Sequence, residues 1–348
     1  HGRHLLEGYP GVGHYSWCGI YGWREVSPSD RKDVFQDVQA HNALMLAKMR
    51  PGLEDSFIME QSMVDASKGF ATEPMSWEEL QAYMSGQQFR LIRRFVITQS
   101  SGKKRIIDDA ADGGQSDSST DENALQFCSA VQPARHLAHL AQALQQLGQE
   151  WPDEESILSA GEDWPDAYRY TPLNPEHARG CVVVFWDERK GNPVFQVYHS
   201  MLFGLPNAVT SFNRWSKLAE ALVRRLLFCL SSMYFDDSTF QDWKSSGPRG
   251  QRQIGEFMKV LGSPWAPDKS QPCASHGSFL GLQHDCSQAH LGMVTFWPMQ
   301  RLVDKVNDII GVARQVGLYS GAAAKLYGVT NFLENGMFGR VGRAGLNA

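Results

Sequence analysis

An α+β fold of the ferredoxin-like kind is predicted for the central part of this 348-residue chain. Short apolar runs with the length and composition of β-strands recur between residues 157 and 240, separated by polar turns. A single long segment with helical apolar spacing interrupts them between residues 208 and 227. The two strands before this helix, the helix and the strand after it give a β-β-α-β order, which is typical of domains in which helices pack on a mainly antiparallel sheet.

The predicted elements follow one another along the chain. The first strand ends at Asp163, and residues 181–186 and 194–198 form a hairpin around a polar loop. The helix over 208–227 carries apolar residues in phase at Phe212, Trp215, Leu218, Leu222 and Leu226. The last strand follows this helix directly.

Two adjacent acids occur in Tyr234-Phe235-Asp236-Asp237, between two short apolar runs, which predicts a tight hairpin with both carboxylates at its tip. Such a tip is electrostatically unfavourable unless a cation binds there, and a divalent metal ion is the usual solution. The predicted order of elements is expected to bring Asp236 beside Asp163. Carboxylates that hold a pair of Mg²⁺ ions are the arrangement used for in-line phosphoryl transfer. A solvated Asp-Asp turn without metal is the alternative.

Four ordered motifs resemble those of reverse transcriptases of the retrotransposon and retroviral type. The motifs are Asp163-x-x-Asp166-Ala167-Tyr168, Leu202-Phe203-Gly204-Leu205-Pro206-Asn207-Ala208, Tyr234-Phe235-Asp236-Asp237, and Pro267-Asp268-Lys269-Ser270 followed by Phe279-Leu280-Gly281. The resemblance covers residues 90–285, with a weaker extension to the C-terminus. It implies a right-hand polymerase with a ferredoxin-like palm, fingers and a partial helical thumb. The implied activity is that of a nucleotidyltransferase, an RNA-directed DNA polymerase.

The resemblance implies a catalytic centre with two Mg²⁺ ions, with Mn²⁺ as the alternative. Asp163 and Asp236 would be the direct metal ligands, and Asp237 would be an acidic support and weaker ligand. Lys269 would face the triphosphate as a general acid for the departing pyrophosphate, the alternative being a solvated loop lysine. The primer grip would be formed by Phe279, Leu280 and Gly281.

The resemblance also implies a set of nucleotide-binding residues: Lys103, Lys104, Arg105, Asp166, Ala167, Tyr168, Phe203 and Gly204. Tyr168 matches the family's steric gate, whose ring leaves no room for a 2′-hydroxyl group and so makes the product DNA. A half-buried core tyrosine is the alternative. Asp166 either contacts the ribose or triphosphate or caps the following helix. Gly204 would allow close approach of the backbone to a base pair, against which Phe203 would offer a flat surface.

A basic hairpin upstream resembles the fingers hairpin of the family, with residues 93–98 and 104–108 as its strands. Arg105 matches the arginine that lies over the incoming base and contacts the α-phosphate, because a planar guanidinium suits both contacts. Either Lys103 or Lys104 matches the γ-phosphate lysine, and the sequence does not choose between them. A solvated basic turn is the alternative.

The composition allows a large core, with 42% hydrophobic residues. No run of eighteen apolar residues is present, so no membrane span is expected, and no signal peptide is visible. The cellular location is left open, with an intracellular one, in the cytoplasm or nucleus, as the expectation. The net charge of −5 is unusual for a nucleic-acid enzyme. However, acids cluster at 112–122 and 150–166, and bases cluster at 90–105 and 301–343. Because phosphate contact depends on local patches, modest and salt-sensitive template affinity is expected.

Four regions are expected along the chain: an N-terminal extension over 1–85, fingers over 86–125, a palm over 126–285, and an incomplete thumb or connection over 286–348. Further helices are predicted at 29–49, 73–84, 134–147, 250–261 and 299–318. The first of these is expected to open at Ser29 and to carry Leu44 on its apolar side. Three other segments are expected to lack regular structure or to be polar. They are an irregular segment at 1–28, a mobile polar loop at 113–122 and a basic tail at 338–343.

Six scattered cysteines form no Cys-x-x-Cys pair, so neither a disulfide framework nor a standard zinc knuckle is indicated. One group near the expected primer grip has side chains that bind zinc in other proteins: Cys273, His276, His284, Cys286 and His290. Their spacing matches no zinc pattern that can be justified. Scattered polar surface residues are the favoured interpretation.

The expected partners are an RNA or DNA template with an annealed primer and deoxynucleoside triphosphates, with no membrane. The chain is expected to be a piece of a longer polyprotein, since it starts at His1 and stops in mid-pattern at Ala348. Two rival functions stay open. An RNA-dependent RNA polymerase is disfavoured by Tyr168. A catalytically impaired relic that only binds nucleic acid is disfavoured by the intact carboxylates.

Overall fold

The structure, a computed structural model, describes residues 2–99 and 102–334. The helices of these residues are α1 (Gly2–Glu7), α2 (Val38–Lys48), α3 (Asp55–Ser67), α4 (Trp77–Met84), α5 (Gln132–Gln146), α6 (Pro175–Ala178), α7 (Ala208–Leu226), α8 (Gly247–Val260), α9 (Gln300–Val316) and α10 (Ser320–Glu334). The strands are β1 (His14–Tyr15), β2 (Gly22–Trp23), β3 (Leu91–Thr98), β4 (Lys104–Asp108), β5 (Thr120–Asp121), β6 (Asn123–Ala124), β7 (Ile157–Asp163), β8 (Val182–Asp187), β9 (Asn192–Gln196), β10 (Leu230–Tyr234), β11 (Asp237–Trp243), β12 (Gln271–Ala274), β13 (His276–Phe279), β14 (Leu282–Asp285) and β15 (Thr295–Pro298). None of the described helices is both long and apolar enough to cross a lipid bilayer.

The chain is a mixed α/β protein with small sheets, divided into two compact units. The first unit consists of His1–Gln126 and Asp166–Trp215. Its main sheet has the strand order β4-β3-β8-β9, in which β3 and β8 are parallel and each forms an antiparallel hairpin with its outer neighbour. Helices α2, α3 and α4 pack against this sheet. The central strands are fully buried at Leu91, Ile92, Val182, Val183 and Val184, as expected for strands that are covered on both faces.

The second unit consists of Phe127–Pro165 and Ser216–Ala348. Its main sheet is antiparallel and has the strand order β10-β11-β7-β12. Helix α5 packs against β10 and β11, and helix α8 packs against β7, β11 and β12. A second sheet has the order β13-β14-β15, and α9 and α10 pack on each other.

Most elements predicted for the central and C-terminal regions are confirmed. The three predicted hairpins are β3–β4, β8–β9 and β10–β11, and the predicted helices after residue 130 are α5, α7, α8 and α9. The helix predicted at 73–84 begins at Trp77, because Ser76 and Glu79 form a reciprocal capping box. The hairpin β8–β9 pairs with β3 in the first unit, so the sheet of β7 is built without it.

The N-terminal region differs from its prediction. The helix expected over 29–49 begins only at Val38, because Asp37 has a left-handed φ of 52° that is incompatible with a continuous helix. Leu44, expected on the apolar side, is 62% exposed. The N-terminal residues, expected to be irregular, contain α1. Helices α3 and α10 were not predicted, since their apolar residues do not form a single stripe.

Residues 113–122, expected to be a mobile polar loop, are packed into the first unit. Gln115 is fully buried and donates from Nε2 to the carbonyl oxygen of Gly180 at 3.0 Å. Strand β5, at the end of this segment, pairs with β1. The prediction of a mobile loop was based on polar composition, but polar side chains of this segment are used to form hydrogen bonds with buried backbone groups. Residues 100 and 101 of the β3–β4 turn, and the basic tail predicted at 338–343, lie outside the described residues.

A polar network runs through the interior of the second unit. The two ring nitrogens of His136 are hydrogen-bonded to Gln241 and Ser232. Gln241 also donates to the hydroxyl of Ser159 at 2.9 Å, and Ser159 is hydrogen-bonded to Nε2 of His284 at 2.6 Å. Both histidines are buried, and desolvation lowers the pKa of each to about 4.

The second unit is expected to lose stability as the pH falls from 6.5 towards 4. The pKa of each histidine in the folded state lies below its ordinary value, so the unfolded chain binds more protons between these two values. The stabilisation is complete above pH 6.5 and is lost on acidification, by on the order of 3 kcal/mol per histidine. Urea unfolding followed across this pH range measures the loss. The double variant His136→Gln/His284→Gln should show a much weaker pH dependence, and an unchanged dependence would contradict the prediction.

Candidate active site

The hairpin β10–β11 ends in a two-residue turn. Tyr234, the last residue of β10, pairs with Asp237, the first residue of β11, which leaves Phe235 and Asp236 between them. Phe235 has a φ of 53°, in the left-handed region that normally favours glycine. The two adjacent acids therefore lie at the end of a tight hairpin, as the sequence predicted.

The pairing of β11 with β7 places Asp237 directly opposite Asp163. Residues that face each other in this way project from the same side of a sheet. The backbone N–H of Trp164 donates to the carbonyl oxygen of Asp236 at 3.0 Å, so the turn is also tied to the end of β7. Three acidic residues from two distant segments are thereby gathered at one end of the main sheet of the second unit.

Lys269 lies beside these carboxylates. It ends a 3₁₀ turn, Pro267–Lys269, which is tied to β7 because the N–H of Ala266 donates to the carbonyl oxygen of Asp163 at 2.9 Å. The Nζ of Lys269 lies 2.5 Å from Oδ1 of Asp163, and this hydrogen bond raises the pKa of the lysine. The side chain is 52% exposed. The alternative of a merely solvated loop lysine therefore does not describe its contacts.

The charge at this end of the sheet is predominantly negative. Desolvation, together with repulsion from Asp236 and Asp163, raises the pKa of Asp237 to about 6. Lys269 lowers this pKa but does not restore its ordinary value. These acids thus carry more negative charge than the ammonium group of Lys269 offsets.

A divalent cation fits the donors that are present. Within residues 2–99 and 102–334, no group of three or more His, Cys, Asp or Glu side chains is arranged as a ready-made metal site. Mg²⁺, however, is typically held by one or two carboxylates together with substrate phosphates, so a complete protein cage is not required. The raised pKa of Asp237 is the observation that favours a cation. It is caused by burial and by repulsion from Asp236 and Asp163, and a positive charge would relieve the repulsion.

A cavity of about 160 Å³ in the second unit brings the carboxylates and the predicted primer grip together. Its lining includes Asp163, Asp237 and Lys269 as well as Phe279, Leu280 and Gly281. Ser278, Met299 and Arg301 also line it. Sequence reasoning missed these three residues, because each belongs to no motif.

The predicted primer-grip residues form the turn between β13 and β14. Leu280 has a φ of 47° and Gly281 a φ of 77°, which closes the two strands with only two residues. A β-carbon on Gly281 would lie 2.5 Å from the ring of Phe332. Glycine is therefore required here both by backbone conformation and by the close approach of α10.

Tyr168 lies in the first unit, in the 3₁₀ turn Ala167–Tyr170. It is half-buried, and its ring packs edge-on against Phe203 at 4.8 Å and Phe212 at 5.3 Å between centroids. Phe203 is itself 42% exposed. The structure thus brings two of the predicted nucleotide-binding residues into direct contact.

Asp166 precedes this turn but does not cap it. It has a left-handed φ of 51°, and its side chain makes no capping hydrogen bond. Instead, its Oδ2 lies 2.5 Å from Nζ of Lys68, the residue that follows α3. The capping alternative is therefore wrong. Ala167, the next predicted residue, is buried.

Gly204 has a structural reason to be glycine that the sequence did not reveal. Its φ is 104°, and a β-carbon on it would lie 2.5 Å from the carbonyl oxygen of Asp108 at the end of β4. The close backbone approach that glycine permits is therefore used inside the first unit. It joins the Phe203-Gly204 segment to the strand that carries Arg105.

A buried ion network, which sequence reasoning missed, lies in the first unit. Arg94 on β3 donates from Nε and Nη2 to the two carboxylate oxygens of Asp108, at 2.7 and 3.0 Å. Its Nη1 donates to the hydroxyl of Tyr198 at 2.6 Å. Arg169 is paired with Asp65 at 3.2 Å and lies over the Tyr198 ring. The sequence showed only that Arg94, beside a second arginine, lies among the apolar residues of a predicted strand.

The cations of the basic hairpin β3–β4 differ from one another in their contacts. Lys104 lies 2.5 Å from Glu54 and over the ring of Phe57. Arg105, next along β4, projects to the opposite side of the strand. Lys103 and Arg105 are exposed, and within the described part of the chain no ion pair engages either of them. The structure thus distinguishes two lysines that the sequence left equivalent.

The cysteine and histidine residues around β13 and β14 have separate surroundings. His284 and Cys286 are completely buried, so their interpretation as polar surface residues is wrong. His284 belongs to the hydrogen-bonded network of Ser159, and burial raises the pKa of Cys286 to about 12. His276 lies 3.4 Å from Asp285.

Comparisons with known proteins identify a similar fold. Neither a family model nor a curated protein sequence matches the chain. It is similar to the structure of a foamy viral protease-reverse transcriptase dRH in complex with double-stranded DNA, with a TM-score of 0.53 and 12% identity over 92% of this chain and 45% of that chain. A second structure, of the foamy viral protease-reverse transcriptase in complex with double-stranded DNA, has a TM-score of 0.48 and 12% identity over 92% and 56% of the two chains. The chain spans about half the length of these neighbours. Because the sequence identity is only 12%, the similarity to the first structure shows that the fold of this chain is reverse-transcriptase-like and nothing more.

Proposed function

We propose that this protein is an RNA-directed DNA polymerase, which adds deoxynucleotides to the 3′-hydroxyl of a primer. The observation that carries the proposal is the cavity where Asp163, Asp237 and Lys269 meet the predicted primer-grip turn. The similarity in fold to a viral reverse transcriptase supports it. The proposed partners are an RNA or DNA template with an annealed primer and deoxynucleoside triphosphates, in keeping with the double-stranded DNA in the neighbouring structure.

The proposed regions follow from the resemblance. Residues 86–125 would act as fingers, 126–285 as the palm and 286–348 as an incomplete thumb, after an extension over 1–85. The basic hairpin β3–β4 supports the first assignment, and the antiparallel sheet that carries the acids supports the second. The paired helices α9 and α10 support the third.

The proposed chemistry assigns distinct tasks to the residues of the second unit. Asp163 and Asp236, with Asp237 in support, would hold two Mg²⁺ ions. When bound, these ions activate the primer 3′-hydroxyl and offset the charge of the triphosphate and of the leaving pyrophosphate. Lys269, whose pKa is raised beside Asp163, carries the proton that a departing pyrophosphate requires.

The residues of the first unit would bind and select the nucleotide. Phe203 and Gly204 would lie against the nascent base pair, and Arg105 would contact the α-phosphate. The ring of Tyr168 would occupy the space that a 2′-hydroxyl group needs. Its edge-on packing against Phe203 supports this role, because a ring held on two sides cannot move aside for a larger sugar.

The variant Tyr168→Val is expected to accept ribonucleotides. Removing the ring opens space beneath the sugar, so the preference for deoxynucleotides over ribonucleotides should fall by roughly 10- to 100-fold. The ratio of kcat/KM for the two sugars, measured with the same primer and template, gives the result. Tyr170→Val, in the same 3₁₀ turn, is the matched control and should leave the ratio unchanged.

The variant Lys103→Ala is expected to bind deoxynucleotides more weakly than Lys104→Ala. Lys104 is engaged with Glu54, whereas Lys103 has no such ion pair among the described residues. Loss of a hydrogen bond to a charged phosphate should raise the KM of Lys103→Ala about tenfold. Steady-state kinetics compare the two variants, and a larger effect in Lys104→Ala would reverse the assignment.

Primer extension on an RNA template with an annealed DNA primer tests the proposal. Deoxynucleotides and ribonucleotides are supplied separately, with Mg²⁺ or Mn²⁺. DNA synthesis by the wild type, absent from Asp236→Asn, is the expected result. Extension with ribonucleotides alone would favour an RNA-dependent RNA polymerase. Binding of the hybrid without any extension would favour an impaired protein that only binds nucleic acid.

A further inference from the structure

The turn that carries Asp236 has an unfavourable backbone conformation. Two-residue hairpin turns of this kind usually place glycine where a positive φ is needed, but here an aromatic residue, Phe235, has a φ of 53°. Non-glycine residues in the left-handed region persist only where their surroundings hold them there, and such positions concentrate at functional sites. The contacts that hold Phe235 in this conformation therefore bear on the backbone conformation of Asp236, the acid that follows it.

An aromatic cluster covers the turn from one side. The ring of Phe127 stacks on that of Phe235 at 4.7 Å between centroids with an angle of 22° between the planes. Phe127 also packs against Tyr234 at 5.2 Å, and Tyr234 packs against Phe235 at 5.1 Å. Aromatic contacts of this geometry add stabilisation beyond simple burial. Phe127 belongs to no sequence motif, so it went unnoticed in the sequence.

Hydrogen bonds hold the peptide groups on both sides of Asp236. The hydroxyl of Ser216 on α7 donates to the carbonyl oxygen of Phe235 at 3.3 Å. The N–H of Trp164 donates to the carbonyl oxygen of Asp236 at 3.0 Å. Because the orientation of these two peptide groups sets the direction of the Cα–Cβ bond between them, the contacts determine where the carboxylate of Asp236 points.

Ser216 is itself fixed by the neighbouring turn of α7. Glu220, four residues later on the same face of the helix, accepts a hydrogen bond from the N–H of Met233 at 3.0 Å. Its carboxylate is paired with Lys217 at 3.1 Å and Arg224 at 3.0 Å. The helix is thereby tied to β10 two residues before Phe235, which keeps Ser216 in register with the turn.

We propose that Phe127 and Ser216 are positioning residues that hold the Phe235-Asp236 turn so that the carboxylate of Asp236 is directed for binding a divalent cation. The inference rests on the metal centre of the proposed function and deepens it. Neither residue contacts the cation. Each stabilises the one backbone conformation in which the Asp236 side chain is preorganised.

Mn²⁺ binding to the full chain, followed by the electron paramagnetic resonance signal of free Mn²⁺, tests the inference without requiring polymerase activity. Ser216→Ala and Phe127→Leu are expected to weaken Mn²⁺ binding about three- to tenfold. Phe127→Tyr keeps the ring and should bind Mn²⁺ as the wild type does. Ser246→Ala and Phe296→Leu remove a comparable hydroxyl bond and a comparable ring contact elsewhere in the second unit, and serve as matched controls.

A second measurement separates positioning from general structural damage. In primer extension, Ser216→Ala should need a higher Mg²⁺ concentration for half-maximal activity but recover most of its rate at saturating Mg²⁺. Wild-type Mn²⁺ affinity in both Ser216→Ala and Phe127→Leu would overturn the inference. If the wild type binds Mn²⁺ no better than Asp236→Asn, the proposed metal centre fails and the inference fails with it. Weakened binding in both variants, in a chain that extends no primer, would support the inference and refute the polymerase function alone.

Discussion

DNA synthesis by the Asp236→Asn variant is expected to fall at least about a thousandfold. The substitution keeps the size of the side chain but removes the charge that would hold a divalent cation, and metal ions contribute several kcal/mol to phosphoryl transfer. Asp163→Asn should cause a similar loss, because Asp163 lies at the same end of the sheet. Asp237→Asn should cause a smaller loss, since burial and the neighbouring carboxylates raise the pKa of this acid and so favour its uncharged form.

Primer extension under single-turnover conditions measures these losses. Asp153→Asn makes the same charge change at an exposed position of the second unit outside the cavity, so its rate should match that of the wild type. Retained binding of a labelled primer-template hybrid by Asp236→Asn would assign the defect to chemistry rather than to folding. Full activity in Asp236→Asn would remove the basis of the proposed mechanism.

Breaking the buried Arg94–Asp108 pair is expected to cost the first unit about 3–5 kcal/mol of its free energy of unfolding. Both side chains are at most 1% exposed, and removing either one leaves the other buried without its hydrogen-bonded ion-pair partner. Arg169, at 3.9 Å, is the remaining cation near Asp108. In Arg94→Met the carboxylate of Asp108 loses its bidentate hydrogen bonds from the guanidinium group, and the hydroxyl of Tyr198 loses a donor. Urea unfolding of Arg94→Met and of Asp108→Asn measures the cost.

The exposed pair Lys104–Glu54 supplies the matched control for this prediction. Its side chains are 41% and 34% exposed, so Glu54→Gln should change the free energy of unfolding by less than about 1 kcal/mol. The double variant Arg94→Met/Asp108→Leu should regain part of the lost stability, because it leaves no charge unpaired. Equal effects of the buried and the exposed pair would contradict the argument from desolvation.

The secondary-structure elements of the candidate site were predictable wherever they depend on residues that are close together in the sequence. The hairpin of Tyr234 to Asp237, the strand that ends at Asp163 and the helix after Asn207 were each predicted with nearly their final bounds. Apolar periodicity and turn composition act over a few residues, so they remain readable in one sequence. The failures occurred where local signals compete, as in the helix that Asp37 interrupts.

The sequence by itself determined the order of the motifs, the hairpin with its two acids, and the presence of Asp163 and Lys269 as the chemically suited partners. Only the tertiary structure decided that Asp237 is the residue opposite Asp163, that Lys104 is engaged by Glu54, and that Phe127 covers the turn. These pairings join residues that are far apart in the chain. They are set by strand register and by packing, for which no single segment carries the signal.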